Sequence, residues 1–315
     1  MPTKTLPYIF DKTQDADWGR CGFELDIYKA PKSSKNPLIT LKGGLGDAGS
    51  LSLKPLREAI LDLTHGKISV ATIGTLRPFN LYESVRILTS PAEESRARQQ
   101  RMHSMRRGTE KAVALTGARF VLLGGQSQGA VTAIDTGKKM LNTESHAEQP
   151  KIAVATINAP GVYESLEYEG VPLKGLIDLG AHCLPALASL SCYEKYRLIK
   201  DYLKNPRLVL ELPYLLGEIE YLKSIGLQDE IEALRLGGVA VGHIFHDQDI
   251  VEGAVDALQD PSAVVFPGIH TTFMIVPVPV AEALVNMSYE LYENPSNVIN
   301  LSQMSSYYIP ETIAG

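Results

Sequence analysis

The chain has 315 residues, of which 44% are hydrophobic and 21% are charged, a composition typical of a globular protein with a full hydrophobic core. A formal net charge of −6 provides no basic surface for phosphate backbones or anionic lipids, so we expect no nucleic-acid partner. The three cysteines show neither metal-ligand spacing nor the even number of a disulfide framework, and no apolar leader or long apolar run is present; these features predict a cytoplasmic protein without an integral membrane segment.

Short β-type runs alternate with longer helical runs from about residue 22 onward. Apolar or alternating runs predict strands at 22–30, 37–44, 67–74, 119–125, 151–161, 238–249 and 263–270. Helix-forming composition predicts helices at 52–64, 91–116, 129–141 and 279–294. This order favours a mostly parallel sheet with helices on both faces.

The alternation stops between residues 162 and 236, where the sequence has helical character and little strand character. We expect residues 1–161 and 237–315 to form the core domain and 162–236 to form an inserted helical cap, or lid. The apolar stretch GLIDLGAHCLPALASL in this segment either lines a pocket for an apolar acyl or alcohol group or packs the cap on the sheet.

The segment FVLLGGQSQGAVTAI contains the pattern G-x-S-x-G, formed by Gly125, Ser127 and Gly129, between an apolar strand and a helix. A serine nucleophile must be held clear of the sheet on a strained turn at a helix N-terminus, and the tight turn requires small residues two positions before and after it. The pattern with both flanks predicts that Ser127 is a nucleophile. The alternative is a glycine-rich turn that carries an ordinary solvated serine.

Acyl transfer also requires hydrogen-bond donors for the oxyanion, usually the N–H after the nucleophile and one after an earlier strand. Gln128 provides the first donor. The glycines that follow the predicted strand in PLITLKGGLGDAGS make the N–H of Gly44 or Leu45 the second.

The same loop also matches a dinucleotide fingerprint, G-x-G-x-x-G, formed by Gly44, Gly46 and Gly49. That function requires an acidic residue after the next strand to bind ribose, and KISVATIGTLRP has none. A dinucleotide-dependent oxidoreductase is therefore the weaker alternative.

The loop LKGGLGDAGS, the elbow GGQSQGA and the late Asp and His resemble the α/β-hydrolase superfamily of esterases and lipases. The resemblance implies an eight-stranded, mostly parallel α/β-hydrolase sheet, catalytic groups in the order Ser, acid, His, and a lid over the pocket. The letters S-Q-G-A look like those of cutinase-type esterases and D-I-V like those of fungal-type lipases, so no subfamily is assigned. The sequence departs from the superfamily pattern in two places. Lys42 stands near the position where many relatives have a histidine, and the segment ATIGTLRPFN lacks the pattern D-x-x-G-x-G that often follows the corresponding strand.

In that superfamily the triad acid follows the penultimate strand, where this chain has Asp247 and Asp249. We prefer Asp249 as the group that orients the base, with Asp247 as the second choice; both could instead cap a following helix. His270, on a loop after the last strand, is the expected general base. His243 and His246 lie on the strand that precedes Asp249 and are expected to be core or pocket residues.

The sequence therefore predicts a serine hydrolase that cleaves a carboxylic ester through an acyl-enzyme, with no metal and no organic cofactor. The expected partner is a small ester with an apolar acyl or alcohol part. The same triad also fits a thioesterase, an amidase or an acyltransferase. A receptor that binds a ligand on the hydrolase fold without catalysis is a further alternative.

Overall fold

A computed structural model describes residues 8–14, 22–44, 53–76, 91–142, 150–162, 226–247, 249, 260–268 and 272–293. Within these ranges, eight strands form one sheet in the order β1-β2-β4-β3-β5-β6-β7-β8. The strands are β1 Tyr8–Gln14, β2 Gly22–Tyr28, β3 Leu38–Lys42, β4 Ser69–Leu76, β5 Phe120–Gln126, β6 Lys151–Ile157, β7 Ala240–His246 and β8 Ala263–Phe266.

The sheet is mostly parallel, as the alternation of strands and helices predicts. Strand β2 runs antiparallel to both of its neighbours, β1 and β4. The remaining neighbours, from β4 through β3 to β8, pair in parallel. The carboxyl ends of these parallel strands therefore lie along one edge of the sheet.

Helices cover both faces of the sheet, which explains the near-continuous apolar runs of its central strands. The helices are α1 Lys54–Leu63, α2 Pro91–Thr116, α3 Gln128–Leu141, α4 Gln228–Leu236, α5 Thr272–Ile275 and α6 Val278–Glu293. Helices α2, α3 and α4 bury apolar side chains in one core layer, and α1, α5 and α6 do so in the other. In β5, Val121 and Leu123 belong to the first layer and Phe120 and Leu122 to the second.

Strand β1, Tyr8–Gln14, is the one strand that the sequence pattern does not predict. Its sequence YIFDKTQ is half polar and contains no alternation long enough to identify. It lies at the edge of the sheet, where it pairs with β2 alone. An edge strand needs less apolar surface than a central strand because one side of it lacks a neighbour.

The segment predicted as a cap, 162–236, lies for the most part outside the described residues. Its last part forms α4, whose Ile231 and Leu234 are buried in the same core layer as α3. Helix α4 thus packs on the sheet. In the chain it follows β6 and precedes β7. The division into a core and an inserted lid remains a prediction for the rest of the segment.

None of the helices in the described ranges has both the length and the apolar character required to cross a membrane.

The order of the strands reverses at β3, which places the loops around it at a crevice. From β3 the chain moves outward to β4 and then returns to β5 on the other side of β3. In open α/β sheets, ligands bind at the carboxyl ends of the strands where the order reverses in this way. The residues that follow β3 and β5, including Gly44 and Ser127, therefore lie at the favoured position for a site.

Candidate active site

Ser127 occupies the turn between β5 and α3 in a backbone conformation that side chains rarely adopt. Its φ is 53° and its ψ is −125°, and its backbone N–H donates to the Ile157 carbonyl at the end of β6 over 2.8 Å. Strain of this kind persists only where the surrounding structure enforces it, and it concentrates at functional sites. Because Ser127 is also the N-cap of α3, its hydroxyl lies at the positive end of the helix dipole.

The two glycines of the G-x-S-x-G pattern are required by close backbone contacts. A Cβ at Gly125 would lie 2.1 Å from the Gly129 carbonyl oxygen. A Cβ at Gly129 would lie 2.2 Å from the Lys42 carbonyl oxygen and 2.4 Å from that of Gly43. The turn therefore packs both against itself and against the end of β3, as a strained nucleophile turn requires.

The loop after β3 reaches Ser127 through Gly44. A Cβ at Gly44 would lie 2.9 Å from Cβ of Ser127, so the two backbones are nearly in contact. The Gly44 N–H, one of the two predicted oxyanion donors, donates instead to Oε1 of Gln126 over 3.1 Å. The alternative donor, Leu45, lies outside the described residues.

The two candidate acids differ in environment. Asp249 is buried, with 5% of its surface exposed, and its backbone N–H donates to the His246 carbonyl. Asp247 is exposed, and its Oδ1 accepts a hydrogen bond from the Gly268 N–H over 2.8 Å. Asp247 therefore holds Gly268 after β8, and of the two candidate acids Asp249 is the buried one.

The candidate base, His270, lies outside the described residues, but the residues on both sides of it are described. Gly268 is bound to Asp247 and has a φ of 136°. A Cβ at Gly268 would lie 2.3 Å from Oγ1 of Thr272, where α5 begins. Gly268 and Thr272, which flank the segment with His270, therefore lie close together after β8.

The other two histidines of this region are structural. His243 is buried in the core, and its Nδ1 lies 2.8 Å from Oγ1 of Thr156. Burial lowers the pKa of His243 from 6.5 to about 4, so the ring is neutral near pH 7. His246 is also buried, and its Nδ1 lies 3.0 Å from Oδ1 of Asn158.

Asn158 connects the turn at Ser127 to the strand before Asp249, a contact that the sequence does not predict. It follows Ile157, whose carbonyl binds Ser127, and it has a positive φ of 50°. Its backbone N–H donates to the Ile244 carbonyl of β7 over 2.8 Å, while its side chain contacts His246. The end of β6 thus contacts both the residue before α3 and the strand that leads to Asp249.

A metal or dinucleotide site finds no further support among the described residues. No group of three or more His, Cys, Asp or Glu side chains in these ranges has the arrangement of a metal site. Of the dinucleotide fingerprint, Gly44 is described, and its N–H is bound to Gln126; Gly46 and Gly49 lie outside the described residues.

Comparison with known proteins identifies the fold. No protein-family model matches the chain, and no curated protein sequence matches it. Among solved structures, a candidate lipase from Acinetobacter baumannii AYE is 14% identical with a TM-score of 0.54, and the match covers 91% of this chain and 93% of that one. A structure from a study of carboxylesterases of the thaumarchaeon Nitrososphaera gargenis is 10% identical with a TM-score of 0.53, with 90% and 100% covered. With the sheet order and the turn at Ser127, these likenesses show that the chain has the α/β-hydrolase fold.

Proposed function

We propose that the protein is a serine hydrolase that cleaves a carboxylic ester through an acyl-enzyme, with Ser127 as the nucleophile. The observation that carries this proposal is the strained φ of 53° at Ser127, between β5 and α3, with glycines packed on both sides. An ordinary turn has no need of this strain, whereas a nucleophile must be held clear of the strand on a sharp turn of this kind. The esterase and lipase descriptions of the structural neighbours agree with this activity class.

In the proposed mechanism, His270 removes the proton from Ser127 Oγ as that oxygen attacks the ester carbonyl carbon. His270 then donates the proton to the departing alcohol, which leaves an acyl group on Ser127. A water molecule, deprotonated by the same histidine, releases the carboxylic acid. Asp249 accepts a hydrogen bond from the second ring nitrogen of His270 and stabilises the imidazolium that forms.

The burial of Asp249 supports its assignment as the acid of the triad. A carboxylate away from water interacts more strongly with a neighbouring imidazolium than an exposed one does. Asp247 is exposed and already accepts the Gly268 N–H. Its contribution is to hold Gly268, two residues before His270 in the chain.

The oxyanion donors are proposed to be the backbone N–H groups of Gln128 and Leu45. Gln128 is the first residue of α3, where N–H groups have no acceptor within the helix. Leu45 is preferred over Gly44 because the Gly44 N–H already donates to Gln126. Gly44 then serves as the small residue that lets the loop approach Ser127.

The substrate is proposed to be a small ester with an apolar acyl or alcohol part. A series of p-nitrophenyl esters from acetate to decanoate tests this class, because p-nitrophenol release reports turnover directly and the chain-length profile measures the acyl pocket. The same acyl groups as thioesters or anilides distinguish thioesterase and amidase activity.

The variants Ser127→Ala and Ser34→Ala form a matched pair for this experiment. Ser34 is exposed and precedes β3, away from the carboxyl ends of the strands where Ser127 lies. Ser127→Ala is expected to lower kcat by about 10⁴-fold or more, while Ser34→Ala keeps the wild-type rate. Turnover that persists in Ser127→Ala would contradict the proposal.

A further inference from the structure

The side chain of Gln128, the residue after Ser127, is a buried polar group whose amide nitrogen no described residue satisfies. Gln128 directly follows Ser127 and is 4% exposed. Its Nε2 is buried and has no hydrogen-bond partner among the described residues. A buried donor without an acceptor destabilises a folded protein, whereas a methionine of similar shape would fill the space without that cost. An amide at this position therefore suits an acceptor supplied by a ligand.

The backbone around Gln128 also favours an oxygen ligand. Helix α3 begins after Ser127 with no side-chain cap hydrogen bond and no acidic residue in its first turn. The first N–H groups of a helix have no acceptor within it, and together they carry a partial positive charge. The backbone and side-chain donors thus concentrate at the end of α3 that carries the nucleophile, an arrangement suited to oxygen atoms.

The glutamine on the other side of Ser127 provides the contrast. Gln126 is also buried, and its Oε1 accepts the Gly44 N–H over 3.1 Å. That amide therefore serves the structure, because it connects the loop after β3 to the nucleophile turn. The Gln128 amide nitrogen makes no such bond within the described part of the chain, and Gln128 is equally close to Ser127 in sequence.

We propose that Nε2 of Gln128 donates a hydrogen bond to a second oxygen of the substrate, an ether, hydroxyl or carbonyl oxygen near the scissile carbonyl. Consecutive Cα atoms are about 3.8 Å apart, so Gln128 belongs to the turn that carries Ser127. This inference rests on the proposed ester hydrolase function and narrows its substrates to oxygenated esters. The side chain of Gln128 contributes recognition only, while its backbone N–H keeps the proposed role of oxyanion donor.

Two esters of equal length test the proposal: p-nitrophenyl butyrate and p-nitrophenyl methoxyacetate, in which an ether oxygen replaces one methylene. Their intrinsic reactivities cancel when the ratio of their kcat/KM values in a variant is divided by the ratio in the wild type. Gln128→Met removes the donor and keeps the backbone N–H. It is expected to lower the preference for the ether ester about three- to tenfold, the value of one neutral hydrogen bond. Gln99→Met, at an exposed position of α2, is the matched control and keeps the wild-type ratio.

An unchanged ratio in Gln128→Met would overturn the inference while leaving the ester hydrolase function intact. Thermal unfolding of the same variant gives an independent readout that requires no substrate. Loss of an unsatisfied donor is expected to leave Tm unchanged or to raise it, whereas a lowered Tm would show that the amide has a partner in the folded chain and would overturn the inference. If the wild type hydrolyses neither ester and a fluorophosphonate does not label Ser127, the proposed function itself fails, and the inference fails with it.

Discussion

The backbone N–H of Gly44 donates to Oε1 of Gln126 over 3.1 Å, although the two residues are 82 positions apart in the chain. The same oxygen would lie 2.7 Å from a Cβ at Gly44, so the contact requires glycine at this position. This bond attaches the loop after β3 to the turn that carries Ser127. Leu45, whose N–H is the proposed oxyanion donor, is the next residue in the chain and lies outside the described residues.

The first prediction concerns Gln126. Gln126→Met removes the acceptor of the Gly44 N–H, so the loop after β3 is held less firmly and the oxyanion donor is misplaced. Because oxyanion stabilisation acts in the transition state, kcat is expected to fall about tenfold with little change in KM. Steady-state kinetics on p-nitrophenyl butyrate measure both constants, with Gln99→Met as the exposed control. A wild-type kcat in Gln126→Met would show that the contact is not needed for catalysis.

The second prediction separates the two candidate acids. Asp249→Asn is expected to lower kcat by about 10⁴-fold, because the amide no longer stabilises the imidazolium or selects its tautomer. Asp247→Asn keeps an oxygen that accepts the Gly268 N–H, so its kcat is expected to stay near the wild-type value. Both variants are compared by p-nitrophenol release at pH 8. If Asp247→Asn lowered kcat far more than Asp249→Asn, Asp247 would be the acid of the triad.

The third prediction concerns packing at the nucleophile turn. Gly129→Ala places a Cβ 2.2 Å from the Lys42 carbonyl oxygen, where two backbone segments must separate to admit it. The free energy of unfolding is expected to fall by about 2 to 3 kcal/mol, with loss of activity. Gly226→Ala, whose Cβ would have no atom within 4 Å, is the control, and urea denaturation measures both. Equal stabilities of the two variants would be incompatible with the described contact.

The fourth prediction is a pH dependence of stability that originates at His243. Burial lowers the pKa of this ring from 6.5 to about 4, with Asp260 raising and Arg235 lowering it to smaller extents. Between pH 4 and pH 6.5 the His243 ring is protonated in the unfolded chain and neutral in the folded chain. The folded state is therefore favoured above pH 6.5 and loses up to about 3 kcal/mol as the pH falls to 4.

The variant His243→Asn retains a polar group near Oγ1 of Thr156 but cannot titrate in this range. It is expected to flatten the dependence of the unfolding free energy on pH between 4 and 6.5, as followed by urea denaturation. His65→Asn, at an exposed position, is the control and keeps the wild-type slope. An unaltered slope in His243→Asn would assign the titration to another group.

The sequence predicts seven strands and the turn at Ser127 because their signals are local. Continuous apolar runs identify buried parallel strands, and the glycines at 125 and 129 identify a turn with no room for side chains. Strand β1 lacks such a signal because it is a short, half-polar strand at the sheet edge. The sequence predicts helix α4 as part of the cap because the segment has helical character. The helical periodicity of a sequence does not show which surface the helix covers.

The contacts of individual side chains could not be predicted in the same way. Gln126 and Gly44 are 82 positions apart, and His246 and Asn158 are 88 positions apart, so only the folded sheet brings them together. The sequence predicts Gly44 and Leu45 equally as oxyanion donors, and the hydrogen bond from Gly44 to Gln126 supports the proposal of Leu45. Likewise, Asp247 and Asp249 differ by two positions in the chain, and the burial of Asp249 supports its proposal as the acid.

The central claim is that Ser127 is an activated nucleophile, and covalent labelling tests it most directly. The intact protein is treated with a fluorophosphonate, and the modified residue is identified by mass spectrometry of its peptides. We expect phosphonylation at Ser127 in the wild type, and none at this position after brief heating that unfolds the protein, because activation requires the folded site. Absence of labelling in the folded wild type, or equal labelling of Ser127→Ala at another residue, would contradict the claim.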